Sequence, residues 1–155
     1  MKHAASCAML ITALLAALAA PVRAATYPVD DSTSQPVAAS TPMRWRSLSP
    51  SRANDNRVEG ITQVNIRLNT QPWVGKVGRI YMTLPPQPIG PVSVEWRAQG
   101  RLLSGKLVAG ERGLVYAGRI DTALMQDLFT VVITADGRLL SAPQRLRFGF
   151  EIDVE

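Results

Sequence analysis

Apolar and polar residues alternate along most of the chain from Gly60 to its end. Alternation with a period of about two residues is typical of β-strands that have one buried and one exposed face. The pattern is clearest over 64–68, 79–84, 92–98 and 145–154, and the last of these segments is the longest. We therefore predict a strand in each segment.

Glycine-containing turns add two more short strands to this pattern. Gln99-Gly100 predicts a tight turn, after which 101–108 returns beside the preceding strand as a hairpin. A second turn over 110–113 leads into another strand-like segment at 114–120. Consecutive strands joined by turns of this kind are expected to pair antiparallel.

Three further segments complete the predicted elements. A nearly continuous apolar run rich in β-branched residues, over 128–135, predicts a central strand, and Asp136-Gly137 after it is a strong hairpin signal. The four prolines in 85–91 donate no backbone hydrogen bonds, so the chain is expected to cross over there. The one helical candidate is 121–128, where a short helix of a turn or two could be capped.

These elements predict an all-β fold of about seven to nine short strands with at most one short helix. We favour an antiparallel β-sandwich, immunoglobulin-like or similar. A small barrel is the alternative, because closure of a sheet cannot be read from one sequence.

The first residues have the pattern of an export signal. Lys2 gives a positive start, an apolar run covers 8–20, and small residues precede a cleavage point after Ala24. We therefore assign 1–24 to a cleavable signal peptide and expect a periplasmic product. The apolar run of 13 residues is shorter than the roughly 18 to 20 needed to span a bilayer, so no stable membrane insertion is expected.

The rest of the chain divides into a lead and one domain. Residues 25–42 are rich in Ser, Thr, Pro and Ala without apolar periodicity, which predicts a disordered lead. Residues 43–155 are a common size for one β domain with a single core.

Composition narrows the chemistry that the processed chain can perform. His3 and Cys7 are the only histidine and cysteine, and both lie in the predicted signal peptide. Without them, the usual general base, the thiolate nucleophile and most transition-metal sites are missing. We expect no cofactor, no metal and no enzymatic activity, although a carboxylate pair or a Ser-Lys dyad leaves a small hydrolase as a minor alternative.

Charge adds a weaker constraint on the partner. After removal of 1–24, 15 basic residues face 12 acidic ones, and 13 of the basic residues are arginine. This small excess is spread along the chain, whereas nucleic-acid binding requires a clustered basic surface. We expect no nucleic-acid partner.

The nearest carboxylate pair is Glu151 and Asp153, two residues apart on one strand face with Arg145 and Arg147. A pair of carboxylates could divide the roles of general acid and general base between its two members. Charged rows on a sheet face are more often solvated or salt-bridged. We therefore favour a solvated or salt-bridged face over a site.

Three tryptophans are the remaining candidates for contact with a partner. Trp96 falls on the apolar phase of its strand and is predicted to lie in the core. Trp73 follows a Gln-Pro turn and either packs within its loop or contacts a partner. Trp45 lies between two arginines and has the same two interpretations. Trp45 and Trp73 are thus weak candidate partner-binding residues.

The order of these pieces resembles the periplasmic flagellar accessory family FlhE. The resemblance covers about residue 43 to the C-terminus. It lies in the order of short motifs that follow a signal peptide. It is carried by a Met-x-Trp start with Ser-Pro behind it, an x-Gln-Pro turn, a strand opened by Ile-Tyr, the proline-rich crossover, the Gln-Gly hairpin and a Gly-Arg-Leu before the last strand: Met43, Trp45, Ser49-Pro50, Thr70-Gln71-Pro72, Ile80-Tyr81, Pro85–Pro91, Gln99-Gly100 and Gly137-Arg138-Leu139. This chain lacks the two cysteines that often flank the hairpin in that family.

The resemblance implies a small periplasmic factor that acts on the flagellar export apparatus or basal body, with effects on assembly, proton leak and motility. It brings no catalytic residues. An immunoglobulin-like adhesion, pilus or envelope-binding module is the alternative function.

Overall fold

The computed structural model describes residues 25–47 and 55–155. The predicted signal peptide, 1–24, lies outside the described residues. The described part contains ten strands, one 3₁₀ turn at Gln71–Trp73 and no α-helix. The strands are β1 Ala25–Val29, β2 Gln35–Pro36, β3 Arg44–Trp45, β4 Arg57–Asn69, β5 Val77–Thr83, β6 Ser93–Ala98, β7 Gly105–Val108, β8 Arg112–Arg119, β9 Leu124–Asp136 and β10 Gly149–Val154.

The strands form two antiparallel sheets. Sheet A has the order β1-β10-β5-β8, and sheet B has the order β2-β4-β9-β6-β7, with β3 also pairing β4. Apolar residues from both sheets form one buried cluster. The prediction of an all-β antiparallel sandwich-like fold is confirmed. The strand count exceeds the predicted range because β1 and β2 lie in the segment that was expected to be disordered.

Two of the predicted connections are found. The chain passes from β5 in sheet A to β6 in sheet B through the proline-rich segment, so the predicted crossover is confirmed. β6 and β7 form the predicted hairpin, in which Ser93 pairs with Val108 and Trp96 with Gly105.

The predicted helix at 121–128 is wrong. β9 begins at Leu124 and pairs with β4 along its whole length, from Asn69 opposite Leu124 to Arg57 opposite Asp136. Met125 and Phe129 are buried, and their spacing of four suits a helix face as well as every second position of a strand. The long β4 partner decides between the two, because tertiary pairing outweighs a short local preference.

The core is organised around Trp96. Its ring is 1% exposed and stacks on Phe129 at a centroid distance of 6.3 Å. Its Nε1–H donates a hydrogen bond of 2.8 Å to the Leu103 carbonyl, which satisfies the only polar atom of the ring. A Cβ at Gly105 or Gly113 would lie 2.7 Å or 2.4 Å from the ring, so both strands need glycine there. The core position predicted for Trp96 is confirmed.

The prediction that 25–42 is a disordered lead is wrong for the part that forms β1 and β2. β1 pairs with β10 over five positions, and Val29 is 4% exposed. Ser34 is hydrogen-bonded to the backbone of Arg67, and β2 pairs with β4. Strand pairing uses backbone groups that every non-proline residue carries, so a segment without apolar periodicity still adds to an existing sheet. The β domain therefore extends N-terminal to residue 43.

The last predicted strand and turn are partly wrong. Only Gly149–Val154 of the predicted 145–154 strand pairs, whereas Leu146 and Phe148 pack against the core outside any strand. Asp136-Gly137 does not close a hairpin, since β9 belongs to sheet B and β10 to sheet A. A Cβ at Gly137 would lie 2.5 Å from the Trp45 ring, so this glycine allows close packing.

Candidate functional site

The outward face of sheet A carries an ion network centred on Arg112. Its Nη2 donates to both carboxylate oxygens of Asp153 at 3.0 Å, and its Nε lies 3.8 Å from Glu151. Arg112 belongs to β8 and the carboxylates to β10, so its side chain reaches across β5. Its guanidinium carbon lies 3.9 Å from the centroid of the Tyr81 ring on that strand. A cation over an aromatic face is electrostatically favoured.

A hydroxyl completes this network. Thr26 Oγ1 donates a 2.6 Å hydrogen bond to Asp153. This bond is the largest cause of the lowered pKa of Asp153, and the hydrogen bond from Arg112 adds to it. The Glu151 and Asp153 pair is therefore salt-bridged, as the favoured interpretation predicted, but its partner is Arg112. The sequence did not single out Arg112, because the contact spans three strands whose order is not visible in the pattern.

The outward face of sheet B has a different character. Ile61 is 63% exposed and pairs across the sheet with Val132. Val37 is 60% exposed and its N–H donates to the Gln63 carbonyl, two residues from Ile61 on the same face. We call Val37, Ile61 and Val132 the sheet B patch. Paired residues share a face in an antiparallel sheet, so Ile61 and Val132 are neighbours on this surface, and Val37, opposite Gln63, lies on the same face.

Charged side chains of both signs surround the sheet B patch. Glu95 pairs with Val132 on one side and with Lys106 on the other, and Glu59 and Arg97 lie on the same face. None of these four side chains takes part in a close ion pair within the part of the chain that the structure describes. An apolar centre with a polar rim is typical of contact surfaces.

The two candidate tryptophans have different environments. Trp45 is 47% exposed on the short edge strand β3, opposite Val58, and it remains a candidate for partner contact. Trp73 is 9% exposed and lies against Tyr27 at a centroid distance of 6.3 Å, so it packs within the protein. The burial of Trp73 therefore argues against the prediction that it contacts a partner.

The burial of Trp73 follows from a tether that the sequence did not reveal. Thr70 is fully buried, and its Oγ1 donates a 2.6 Å hydrogen bond to the Thr122 carbonyl. The Trp73 N–H donates to the Thr70 carbonyl, which closes the 3₁₀ turn over the core. Threonine in a Gln-Pro turn gives no sequence signal for such a long-range bond.

A polar groove lies on sheet B beside the β1–β2 turn. It has a volume of about 650 Å³ and is lined by the turn and by facing parts of β4 and β9: Ser32, Thr33, Gln35, Asn65, Ile66, Arg67, Gln126 and Asp127. Asp127 accepts backbone hydrogen bonds from Gln99, Gly100 and Leu102. This groove was not predicted from the sequence, because its wall belongs to the segment expected to be disordered.

Residues 25–47 and 55–155 contain no cluster of three or more side chains suited to hold a metal ion. The same residues include no helix of the length and apolarity needed to cross a membrane.

Comparison of the chain with family models, curated proteins and solved structures finds no match in any of the three.

Proposed function

We propose that this protein is a non-enzymatic periplasmic accessory factor of the bacterial flagellum that acts by protein contact through the sheet B patch. The flagellar part of the proposal rests on the sequence resemblance to the FlhE family. The contact surface rests on one structural observation: Ile61 and Val37 are well exposed on the same face of sheet B, and the charged side chains around them form no close ion pair among the described residues.

The sheet B patch suits a protein partner better than solvent alone. Its β-branched side chains have few rotamers to lose on binding, so ordering them is inexpensive. The threonines at 130 and 134 lie on the same face and supply hydroxyls at its border. Lys106, Arg97, Glu59 and Glu95 are available to fix the orientation of a partner with complementary charges.

Trp45 is a separate candidate for partner contact. It is paired with Val58, which is buried, so its side chain lies on the opposite face of sheet B from Ile61. Its ring packs over Gly137 while almost half of the residue stays exposed. A partly supported indole is well suited to anchor a partner, because its position is fixed before binding. We therefore keep Trp45 as a second candidate contact outside the sheet B patch and leave out Trp73.

The test is complementation of a deletion strain with a matched pair of variants. Ile61→Lys places a charge on the sheet B patch, and Leu114→Lys places the same charge on the outward face of sheet A, where Leu114 is 37% exposed. We expect Ile61→Lys to leave swimming and swarming at the level of the deletion, whereas Leu114→Lys restores both. Circular dichroism confirms that both variants are folded.

Two outcomes reject the proposal in different ways. Normal motility of the deletion strain rejects the flagellar role. Restoration of motility by Ile61→Lys, at a normal periplasmic level of the protein, rejects the sheet B patch as the contact surface. Cross-linking in the periplasm from a cysteine at position 61, with position 114 as the control, identifies the partner directly.

A further inference from the structure

The polar groove beside the β1–β2 turn has the construction of a preformed ligand site. Its volume of about 650 Å³ falls within the roughly 300 to 1,000 Å³ of small-molecule sites. The floor is formed by β4 and β9, where Arg67 pairs with Gln126. The wall is the turn that carries Ser32, Thr33 and Gln35.

The wall is held rigidly against the floor. Ser34 Oγ accepts a 2.8 Å hydrogen bond from the Arg67 N–H and donates one of 3.1 Å to the Arg67 carbonyl. Asp30 accepts a hydrogen bond from the Ser32 N–H, and its carbonyl accepts one from Asn69. A wall fixed on both sides needs little ordering when a ligand binds, and that favours affinity.

The side chains of the groove match a hydroxyl-rich ligand. The side-chain amides of Gln35, Asn65 and Gln126 form no hydrogen bond to other described residues. Each amide both donates and accepts, as sugar hydroxyls do. Ile66 is the one apolar lining residue, so the groove offers no pocket for apolar peptide side chains. It also has no aromatic ring on which a nucleobase would stack.

The charge of the groove selects further among such ligands. The Asp127 carboxylate is already engaged, because it accepts hydrogen bonds of 3.0, 2.7 and 2.8 Å from Gln99, Gly100 and Leu102. Arg67 forms no ion pair among residues 25–47 and 55–155. Its guanidinium is therefore the free charge of the groove, and its fork of donors matches a carboxylate.

We propose that this groove binds an acidic saccharide, with Arg67 on the carboxylate of the sugar and the amides of Gln35, Asn65 and Gln126 on its hydroxyls. This site is separate from the sheet B patch and goes beyond the proposed function. Either assignment stands if the other fails.

The test titrates the folded protein with one neutral sugar and two acidic sugars. N-acetylmuramic acid and N-acetylglucosamine differ by a carboxylate-bearing group, and glucuronic acid carries its carboxylate at a different place. Backbone amide signals in nuclear magnetic resonance report the position and strength of binding. We expect shifts at 32–35, 65–67 and 126–127, with both acids binding about tenfold more tightly than the neutral sugar, because charge-assisted hydrogen bonds are the stronger ones.

The two acids distinguish the source of the ligand. Tighter binding of N-acetylmuramic acid points to a cell-wall glycan, and tighter binding of glucuronic acid points to a uronic-acid polysaccharide. Either result supports the acidic saccharide. Equal binding of lactate, which has the carboxylate without the sugar ring, overturns the proposal, because the amides then contribute nothing.

Variants show which side chains of the groove are responsible for sugar binding. Arg67→Gln is expected to remove the preference for the acids, and Gln126→Ala to weaken all three sugars. Arg119→Gln is the control, since Arg119 is exposed at the end of β8 on sheet A and likewise forms no ion pair in the described residues. An equal loss in Arg119→Gln, or no shift of groove signals with any sugar, overturns the proposal.

Discussion

The outward faces of the two sheets differ in whether their charged side chains form ion pairs with one another. On sheet A, Arg112 draws Asp153 and Glu151 together over the Tyr81 ring, and Thr26 adds a fourth partner. On sheet B, the apolar patch around Ile61 is surrounded by charges that have no ionic partner among the described residues.

This difference decides whether the charged groups of a face stabilise the fold or remain available to a partner. The charged groups of sheet A interact with one another, so they stabilise the fold and have little left to offer another molecule. The groups of sheet B contribute less to the fold and remain available. Burial alone does not separate the two faces, because both contain half-exposed side chains; the pattern of partners does.

The comparison assumes that both faces rest on one core, and Trp96→Ala tests that assumption with the largest expected effect. Loss of a buried tryptophan side chain is expected to lower the free energy of unfolding by about 3 to 5 kcal/mol. Hydrogen exchange measured at β5 and β9 checks whether both sheets are affected. Loss of protection in sheet B alone would contradict a shared core.

A smaller effect is expected for Gly113→Ala, which pushes sheet A against the same ring. The new Cβ would lie 2.4 Å from Trp96, so we expect a loss of about 1 to 3 kcal/mol in unfolding free energy. Urea denaturation gives the value. In a Trp96→Phe background the added methyl has more room, and the cost of Gly113→Ala should fall. An unchanged cost would mean that the ring does not set the constraint.

The contrast between the faces is measured directly by two arginine variants. Arg112→Met should lower the free energy of unfolding by about 1 kcal/mol, because it removes a partly exposed ion pair and a cation–π contact. Arg97→Met, on sheet B, should change it by less than about 0.5 kcal/mol. Urea denaturation of both variants at the same salt concentration makes the comparison. Equal losses would remove the distinction between the faces.

The smallest effect concerns acid stability. The pKa of Asp153 is lowered from its ordinary 3.8 by the Thr26 hydroxyl and Arg112, so its stabilisation is present above that value and is lost as the pH falls below it. Asp153→Asn should therefore flatten the decline of unfolding free energy below about pH 4. A decline as steep as in the unsubstituted protein would show that Asp153 does not couple to folding.

Asp136 provides a reference for that measurement. The Arg138 side chain lowers the pKa of Asp136 from 3.8 to about 2 through a local hydrogen bond. Its stabilisation is therefore lost as the pH falls from about 3.8 to about 2. Asp136→Asn should flatten this part of the profile without changing the network on sheet A.

The sequence predicts the fold class well because alternation is a local property. The β5–β6 crossover, the β6–β7 hairpin and the burial of Trp96 each follow from residues close together in the chain. The errors occur where distant pairing decides. β9 replaces the predicted helix because β4 lies beside it, and β1 is ordered because β10 offers an edge.

The candidate site was less accessible to prediction for the same reason. Trp45 was named from its residue type, and it is exposed. Ile61 and Val37 carry no motif, and they share a face only because β2 and its extension lie beside β4. Arg67 and Gln126 become neighbours through strand register alone. A functional surface made of unremarkable residue types is visible only once the sheet order is known.

Trp96 and the two glycines that receive it also have a consequence for the evolution of this fold. The ring fills space that side chains at 105 and 113 would otherwise occupy. None of the three positions can therefore be substituted alone without a loss of stability. A relative with a smaller residue at position 96 should carry larger residues at one or both glycine positions. The three sites form a co-varying set, and an alignment of true relatives should recognise this architecture by that triplet even where the surface residues have diverged.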